Sequence, residues 1–484
     1  MKTIDMLREE RMKKLEKLKK LGHNPYPSFS GKKNTIAEVR QQMEKEAEVV
    51  GKIYSVRGHG KLVFADIKDE TEKIQLMCKV DNIDPKYFDL VELIDVGDYV
   101  WAKGTVTKTI KGEISLLVKE LRFLSKSLHP LPEKWHGLKD VEERYRQRYV
   151  DLLVNPEVKN IFLTRSKVVT LLRTFLDKNG FLEVETPILQ PLYGGASAKP
   201  FTTHHNAHDI NLYLRISNEL YLKRLIVGGF EKVYEMGRDF RNEGMSRAHN
   251  PEFSMLEFYW AYADYETLMK FTEEMFKYVI EEIKGDLKIT FKEKVYDFSS
   301  PWKRITYKDL IQQHTGIDID KVTTETQLKT ALKEKGLLDD NSIIGYRNLL
   351  DIAYKKHVRP NLEGPLFITD YPVDMKPLAK RIESDSTKSA SFQLLVAGEE
   401  LINAYNELND PQDQKKRWEE EMEMGKKGAD DYQVLDEDYI RALEYGMPPT
   451  AGWGLGIDRF VALLTDQHTI KDVIFFPTMK PENG

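Results

Sequence analysis

Between Val49 and Leu124 the chain holds five short runs that read as strands: VVGKIYSVRG, LVFADIKD, KIQLMCKV, DYVWAKGTVTKT and EISLLVKELRFL. Gly58, Gly60, Gly97, Gly104 and Gly112 punctuate them. Five short strands in about 75 residues fit a small closed barrel. The five-stranded barrel that binds oligonucleotides is the leading form, and a structural barrel without a ligand fits the same pattern.

The flanks read differently. Residues 4–21 form a helical pattern with Ile4, Leu7, Met12, Leu15 and Leu18 near one stripe and seven Lys or Arg between them. Two readings fit: a solvated surface helix, and a basic arm that touches a nucleic-acid backbone. Pro25 and Pro27 end the pattern. The expected organisation is a basic helical extension over 1–47, the barrel over 48–125, a proline-bearing connector over 126–145 and one large mixed domain over 146–484. In the large domain, helices are expected near 157–178, 217–227, 264–283, 342–356, 411–424 and 436–444. Strands are expected near 211–215, 231–240, 252–262, 365–370, 391–398 and 450–456. The stretch 286–345 reads as a polar, helical insertion.

Composition narrows the function classes. The 484 residues suffice for about three domains. The net charge of −5 argues against a protein that only coats nucleic acid, so any such contact must be a local basic surface. Cys78 stands alone, which excludes an internal disulfide and a multi-cysteine zinc site. His204, His205 and His208 follow a turn-like stretch with no cysteine beside them and do not read as a metal site. No apolar stretch is long enough for a membrane span, and the N-terminus lacks the apolar core of a secretory signal. A cytoplasmic location is the expectation.

Three clusters carry chemistry. In residues 232–265 a charged loop joins two strands, and Arg238, Arg241, Glu243, Arg247 and His249 crowd into it. Guanidiniums converging on one spot suit a phosphate or carboxylate, which each can bind bidentately. Phe253 enters the second strand, where it could stack on a base, and Glu257 and Tyr259 alternate on one face behind it. In residues 398–414, Glu400, Asn403 and Glu407 could hold a divalent ion or a primary amine. In residues 448–465 a strand with Gly452, Gly454 and Gly456 runs into a helix with Arg459 in its first turn, an arrangement that favours an anion.

Together these clusters resemble the signature motifs of class II aminoacyl-tRNA synthetases. RTFLDKNGFLEVETPILQP, ending near Pro187, is similar to motif 1, the dimer element of that class. FRNEG with HNPEF resembles motif 2, and GIDRFVALL resembles motif 3. The N-terminal barrel points to the aspartate–asparagine–lysine subgroup. LRISNELYLKRL, YGGASAKPF, THHNAHD, NAYNELNDP and HTIKDVIFFPTMKP are most similar to the lysyl-tRNA synthetases, over about 48–481. The implied fold is α+β: an OB-type five-stranded β-barrel, then a class II catalytic domain built on an antiparallel sheet with flanking helices.

The resemblance also implies roles. Arg241 would hold the α-phosphate and the substrate carboxylate, and Arg459 the γ-phosphate. Phe253 would stack on adenine, with Glu243 and His249 nearby. Glu219 and the backbone at Gly195 would take the lysine α-ammonium. Glu407 with Tyr259 would take the ε-ammonium, and Asn403 and Glu257 would complete the pocket. Glu400 would bind magnesium. Phe64, Gln75 and Glu113 would meet the anticodon. Lysine, ATP and tRNA are then the substrates, Mg2+ the cofactor, and a homodimer the assembly. Two departures stand out. Gln393 occupies the position where the family has a second metal-binding glutamate, and an amide is a weaker magnesium ligand. Ala248 precedes His249 where relatives more often carry an arginine, and Arg247 lies one residue earlier, pointing to the other side of a strand. Specificity for aspartate or asparagine, and an inactive RNA-binding paralogue, are the alternatives weighed against lysine.

Overall fold

The computed structural model describes residues 3–28, 31, 34–132, 138, 140–299, 301–338, 345–426 and 434–482. It divides into two compact units, Met1–Lys139 and Asp140–Gly484.

In the first unit, β1 (Glu46–His59), β2 (Leu62–Lys68), β3 (Lys73–Lys79), β4 (Tyr99–Lys108) and β5 (Ile114–Ser125) close into a barrel in the order β1-β2-β3-β5-β4. One end of β1 pairs with β4 and the other with β2, so no edge is left open. Strand alternation sends Ala65, Ile67, Leu76, Cys78, Val100 and Leu116 into the core. Burial pushes the Cys78 thiol up to about 12, so it is an inert core residue. The basic helix α1 (Ile4–Lys20) is capped by Thr3, and its Leu18 belongs to the barrel's own core. Its basic residues divide into two sets. Arg11 is buried and donates to the carbonyls of Val96, Ser127 and His129, and Lys14 pairs with Asp95 at 2.6 Å. Arg8, Lys13, Lys17, Lys19 and Lys20 are exposed.

The second unit is organised by an eight-stranded sheet. Its strands are β6 (Leu182–Glu183), β7 (Lys232–Phe240), β8 (Glu252–Ala261), β9 (Lys303–Thr306), β10 (Leu366–Thr369), β11 (Ser391–Val396), β12 (Glu399–Asn406) and β13 (Thr450–Gly456). The order across the sheet is β9-β10-β11-β12-β13-β8-β7-β6. Leu256, Phe258, Leu394, Ile402, Ala404, Trp453 and Leu455 point to one face. There they form a single core with helices α2 (Pro156–Lys178), α4 (Tyr265–Lys284) and α5 (Ile457–Leu464). Alternation then turns Glu257, Tyr259, Asn403 and Tyr405 to the opposite face, which α3 (Glu219–Val227) borders.

The central strands pair antiparallel, as expected, and the sheet is mixed only at its two edges, where β9 runs parallel to β10 and β6 parallel to β7. Each parallel strand enters from a connection that crosses the layer and so returns in the same direction as its neighbour. Two expectations are corrected. The segment 286–345 is not simply a helical insertion. It contains a hairpin of Lys288–Phe291 with Lys294–Asp297, and edge strand β9. Its helices Tyr307–Thr315 and Glu325–Glu334 bury Tyr307, Leu310, Ile311 and Leu328 in a satellite core. Charged residues on the outer face hid that apolar stripe. Strand β12 was also not anticipated, because its polar residues masked the pattern. Residues 133–137 and 139 of the connector, and 339–344 of the insertion, lie outside the described residues.

Candidate active site

The site is a trench across the centre of the sheet. Gln393 pairs with Asn403, Asn403 with Gly454, and Gly454 with Glu257, in one row over four strands. In the next row Tyr405 pairs with Gly452 and Gly452 with Tyr259. The two glycines leave a gap between long polar side chains. A Cβ on Gly452 would overlap Glu407 Oε1 and lie 2.5 Å from Tyr259 Cε1, so glycine is required there. The resulting cavity holds about 480 Å³.

A bulge sets which residues of β12 face it. Pairing steps from Ile402 opposite Leu394 to Glu400 opposite Leu395, leaving Leu401 as an extra residue. Without that residue, alternation from Asn403 would bring position 401 to the cavity side. The bulge brings Glu400 there instead. Asn403, Tyr405 and Glu407 follow on the same side by plain alternation.

At one end of the cavity sits a buried charge cluster. Lys223, one turn along α3 from Glu219, donates to Glu219 Oε1 at 2.7 Å and to Glu407 Oε2 at 2.7 Å. The Tyr405 hydroxyl donates to Glu219 Oε2 at 2.7 Å. Ser217 and Tyr259 hydroxyls donate to Glu257 at 3.1 and 3.2 Å. Glu407 Oε1 is buried and has no hydrogen-bond partner among the described residues. Burial opposes the charge on Lys223, but Glu219 and Glu407 outweigh it and hold the ammonium well above its ordinary value. Burial lifts Glu407 well above the carboxylate range despite Lys223, with Glu219 adding repulsion. Burial, with repulsion from Asp239 and Glu219, lifts Glu257 to about 8. Two of these three carboxyl groups thus share one resident ammonium, and the third, Glu257, has hydroxyl partners alone. Gly195 borders this end with φ +85°, and an added Cβ would lie 3.0 Å from Ser217 Oγ and 3.1 Å from Glu219 Cβ.

The other end is basic. The Arg241 guanidinium stacks 5.0 Å from the Phe253 ring and reaches the Ile216 carbonyl at 3.4 Å. Arg459 donates to the Glu400 carbonyl at 2.8 Å and lies 3.4 Å from His249 Nε2. Ser246 Oγ sits 2.8 Å from His249 Nδ1, and burial with the nearby Arg459 charge lowers the His249 pKa. Asp458 fixes α5 to β8: it accepts from the Ser254 amide at 2.9 Å and pairs with Arg165 at 2.7 Å. That bracing sets the direction of Arg459. Ala248 lines the cavity and, with Arg459, also a smaller adjoining one, which Arg247 lines with Phe291, Lys292 and His468.

The residues given roles in this unit line the one cavity: Gly195, Glu219, Arg241, Glu243, His249, Phe253, Glu257, Tyr259, Gln393, Glu400, Asn403, Glu407 and Arg459. Arg238 and Arg247, expected to converge with Arg241, do not line it; Arg238 pairs with Glu252 at 3.6 Å. Others were missed. Lys223 lies in the LYLKRL run, where an i, i+4 pair with Glu219 was readable, but its contact with Glu407 spans 184 positions. Arg347 lines the cavity and holds Ser197 at 3.2 Å and Glu421 at 2.9 Å. Lys376 comes from the loop after β10 and donates to Asn403 Oδ1 at 2.6 Å. No local pattern marks either position. Burial, against the attraction of Glu400, lowers Lys376 to about 8.

The donor set bears on a metal. Among the described residues no three His, Cys, Asp or Glu side chains form a metal-binding group. Glu400 offers one carboxylate, and Gln393 Oε1 accepts from the Tyr371 hydroxyl at 2.6 Å. One carboxylate together with substrate phosphates is a usual magnesium environment, so Glu400 fits that ion.

On the barrel, alternation turns Phe64 and Gln75 outward on β2 and β3, where both are half-buried. Phe64 pairs with Arg57 and Met77, and Gln75 accepts from Ser115 Oγ at 3.1 Å. Glu113, just before β5, is exposed. Three adjacent strands therefore bring these residues to one outer region.

Residues 140–480 match the family of tRNA synthetases class II (D, K and N), and residues 47–124 match the OB-fold nucleic acid binding domain. The chain is 48% identical to a lysine–tRNA ligase of Carboxydothermus hydrogenoformans over 484 residues, covering 99% of each chain. It is 47% identical to one of Moorella thermoacetica, covering 98% of this chain and 97% of the relative. It is 45% identical to one of Clostridium tetani, covering 99% and 97%.

Proposed function

The chain belongs to the class II tRNA synthetases of the D, K and N group, and from that membership we propose how its site acts. The activity is that of a lysine–tRNA ligase. Lysine reacts with ATP to give lysyl-adenylate and pyrophosphate, and the lysyl group then passes to the terminal adenosine of tRNA. One observation carries the choice of lysine. Three carboxyl groups are buried at this end, one resident ammonium contacts two of them, and Glu407 Oε1 has no hydrogen-bond partner among the described residues. Lysine brings two ammonium groups to carboxyl groups that burial otherwise holds toward the protonated form, and so favours their ionisation. An aspartate substrate would add a carboxylate to this end, and an asparagine would leave the acids unmatched.

In the proposed arrangement Glu219 and the Gly195 backbone receive the α-ammonium. Glu407 and Tyr259 receive the ε-ammonium, and Asn403 and Glu257 complete the pocket. Arg241 takes the lysine carboxylate and the α-phosphate, Arg459 the far end of the triphosphate, and Phe253 the adenine, beside Glu243 and His249. In the first step a lysine carboxylate oxygen bonds to the α-phosphorus, and the bond to the departing pyrophosphate oxygen breaks. The nucleophile is ionised at neutral pH and needs no base. The protein's work is alignment and charge neutralisation. Lysyl-tRNA synthetases are in general magnesium-dependent, and Glu400 would hold the ion. Bound magnesium neutralises and orients phosphate oxygens.

The barrel receives the anticodon, with Phe64 stacking on an unpaired base and Gln75 and Glu113 reading base edges. The chain pairs as a homodimer through the motif 1 segment, where Leu182, Ile188 and Leu189 are 45–50% exposed. It acts in the cytoplasm; among the described residues no helix is long and apolar enough to cross a membrane. Pyrophosphate exchange across the twenty amino acids with magnesium tests the reading. Exchange with lysine alone is expected, and exchange with aspartate or asparagine refutes the pocket assignment.

A further inference from the structure

Lys376 has no part in the reading above, yet it occupies the middle of the cavity wall. Its Nζ donates to Asn403 Oδ1 at 2.6 Å and lies 4.7 Å from the centre of the Tyr371 ring. Tyr371 is anchored in turn, because its hydroxyl donates to Gln393 Oε1 at 2.6 Å. Gln393, Tyr371, Lys376 and Asn403 thus form one connected set across the floor of the trench. The ammonium has no carboxylate in ion-pair contact among the described residues. It feels attraction from Glu400, at the phosphate end, repulsion from Arg347, and weaker attraction from Asp351 and from Glu219, the last at the amino-acid end. A lysine held between those two ends, with only a neutral amide and a ring face for partners, has unspent capacity for an anion.

The same region lacks two groups that would otherwise carry phosphate charge. Gln393 presents an amide engaged by Tyr371, and Ala248 presents a methyl to the cavity. Arg247 is absent from this cavity's lining and lies in the adjoining one, on the far side of the shared Ala248 and Arg459. We propose that Lys376 is a catalytic residue: its ammonium binds an oxygen of the ATP triphosphate at the junction with the bound amino acid. It supplies there the fixed positive charge that a second metal-binding carboxylate would recruit as a cation. Gln393 is a positioning residue, holding the Tyr371 ring under Nζ. This inference rests on the ligase reading for the identity of the anion. Neither step needs a proton from Lys376, which acts as a charge that stays in place while pyrophosphate departs.

The test uses the full-length protein and two variants, Lys376→Met and Lys376→Arg. Calorimetry measures ATP affinity in excess chelator and, separately, lysine affinity without ATP. Lysine-dependent pyrophosphate exchange is titrated with magnesium. Lys376→Met is expected to weaken metal-free ATP binding by at least about tenfold, the worth of one charge-assisted hydrogen bond. It should also raise the magnesium concentration for half-maximal exchange several-fold, with lysine affinity within about threefold of the parent. Lys376→Arg should retain most of the ATP affinity. Metal-free ATP affinity within twofold of the parent in Lys376→Met overturns the proposal. So does equal loss of lysine and ATP affinity in both variants, which marks a purely structural role. If the parent protein fails to exchange with lysine, the ligase reading falls, while ATP binding in chelator still decides the role of Lys376.

Discussion

Replacing Glu407 by glutamine removes the carboxyl group that an arriving ammonium would hold ionised and changes little else in shape. Lys223 would keep its 2.7 Å contact with Glu219 Oε1 and one oxygen at position 407, so the fold retains a paired ammonium. The amide must then turn its oxygen toward Lys223, because an NH2 group there would face a cation. The NH2 group is left at the place of Glu407 Oε1, the atom without a partner that would receive the substrate. A donor then meets the ε-ammonium, itself only a donor. Loss of a charge-assisted hydrogen bond in a buried site amounts to about 2–4 kcal/mol, or about 30- to 1000-fold in lysine affinity. Pyrophosphate exchange should show that rise in the KM for lysine, while calorimetric ATP affinity and the melting temperature stay near the parent values. The preference for lysine over norleucine, which has a methyl for the ammonium, should collapse. A lysine KM within twofold of the parent would refute the charge argument.

Other outcomes follow from the same geometry. Gly452→Ala forces a methyl against Glu407 Oε1 and Tyr259, and should destabilise the protein by about 1–3 kcal/mol and abolish lysine binding, read by melting and calorimetry. Intact lysine affinity in that variant would contradict the packing. Glu257 is held protonated up to about 8, whereas in the unfolded chain it ionises near its ordinary value. Between those values the folded protein binds the extra proton, so this group's stabilisation is full below its unfolded pKa and is lost as pH rises toward 8. Lysine binding should release a proton near neutral pH, measured by calorimetry in buffers of different ionisation heat, and Glu257→Gln should remove that release. Phe64→Ala should lower tRNA aminoacylation about tenfold or more, the worth of one stacked base, and leave lysine-dependent exchange unchanged. Loss of exchange as well would mean that the substitution disturbs the fold.

Legibility differed between the barrel and the pocket for a physical reason. The five barrel strands were readable because alternation with period two is a local property, and Gly58, Gly60, Gly97 and Gly112 mark several of the turns between them. Arg241, Phe253, Glu257 and Tyr259 were readable for the same reason: one strand face carries the last three within seven residues. Strand β12 hid its nature because it bears polar groups on the cavity side and a bulge at Leu401. A bulge is a relation between two strands, and no single strand declares it. The parallel edge β9 escaped notice because direction belongs to a pair of strands, and its partner lies some sixty residues away.

The sequence by itself determined the order of elements, the barrel, and the residue types that meet in the cavity, since these follow from local periodicity and from short motifs. Only the tertiary structure decided how the charges are shared. Glu407 read alone is a free partner for an ammonium; in the fold it already holds Lys223 with one oxygen, while the other has no hydrogen-bond partner among the described residues. Lys376 read alone is a loop lysine, and in the fold it stands between the acidic and basic ends of the trench. Electrostatic energy depends on distance and burial, and both are set by residues far apart in the chain.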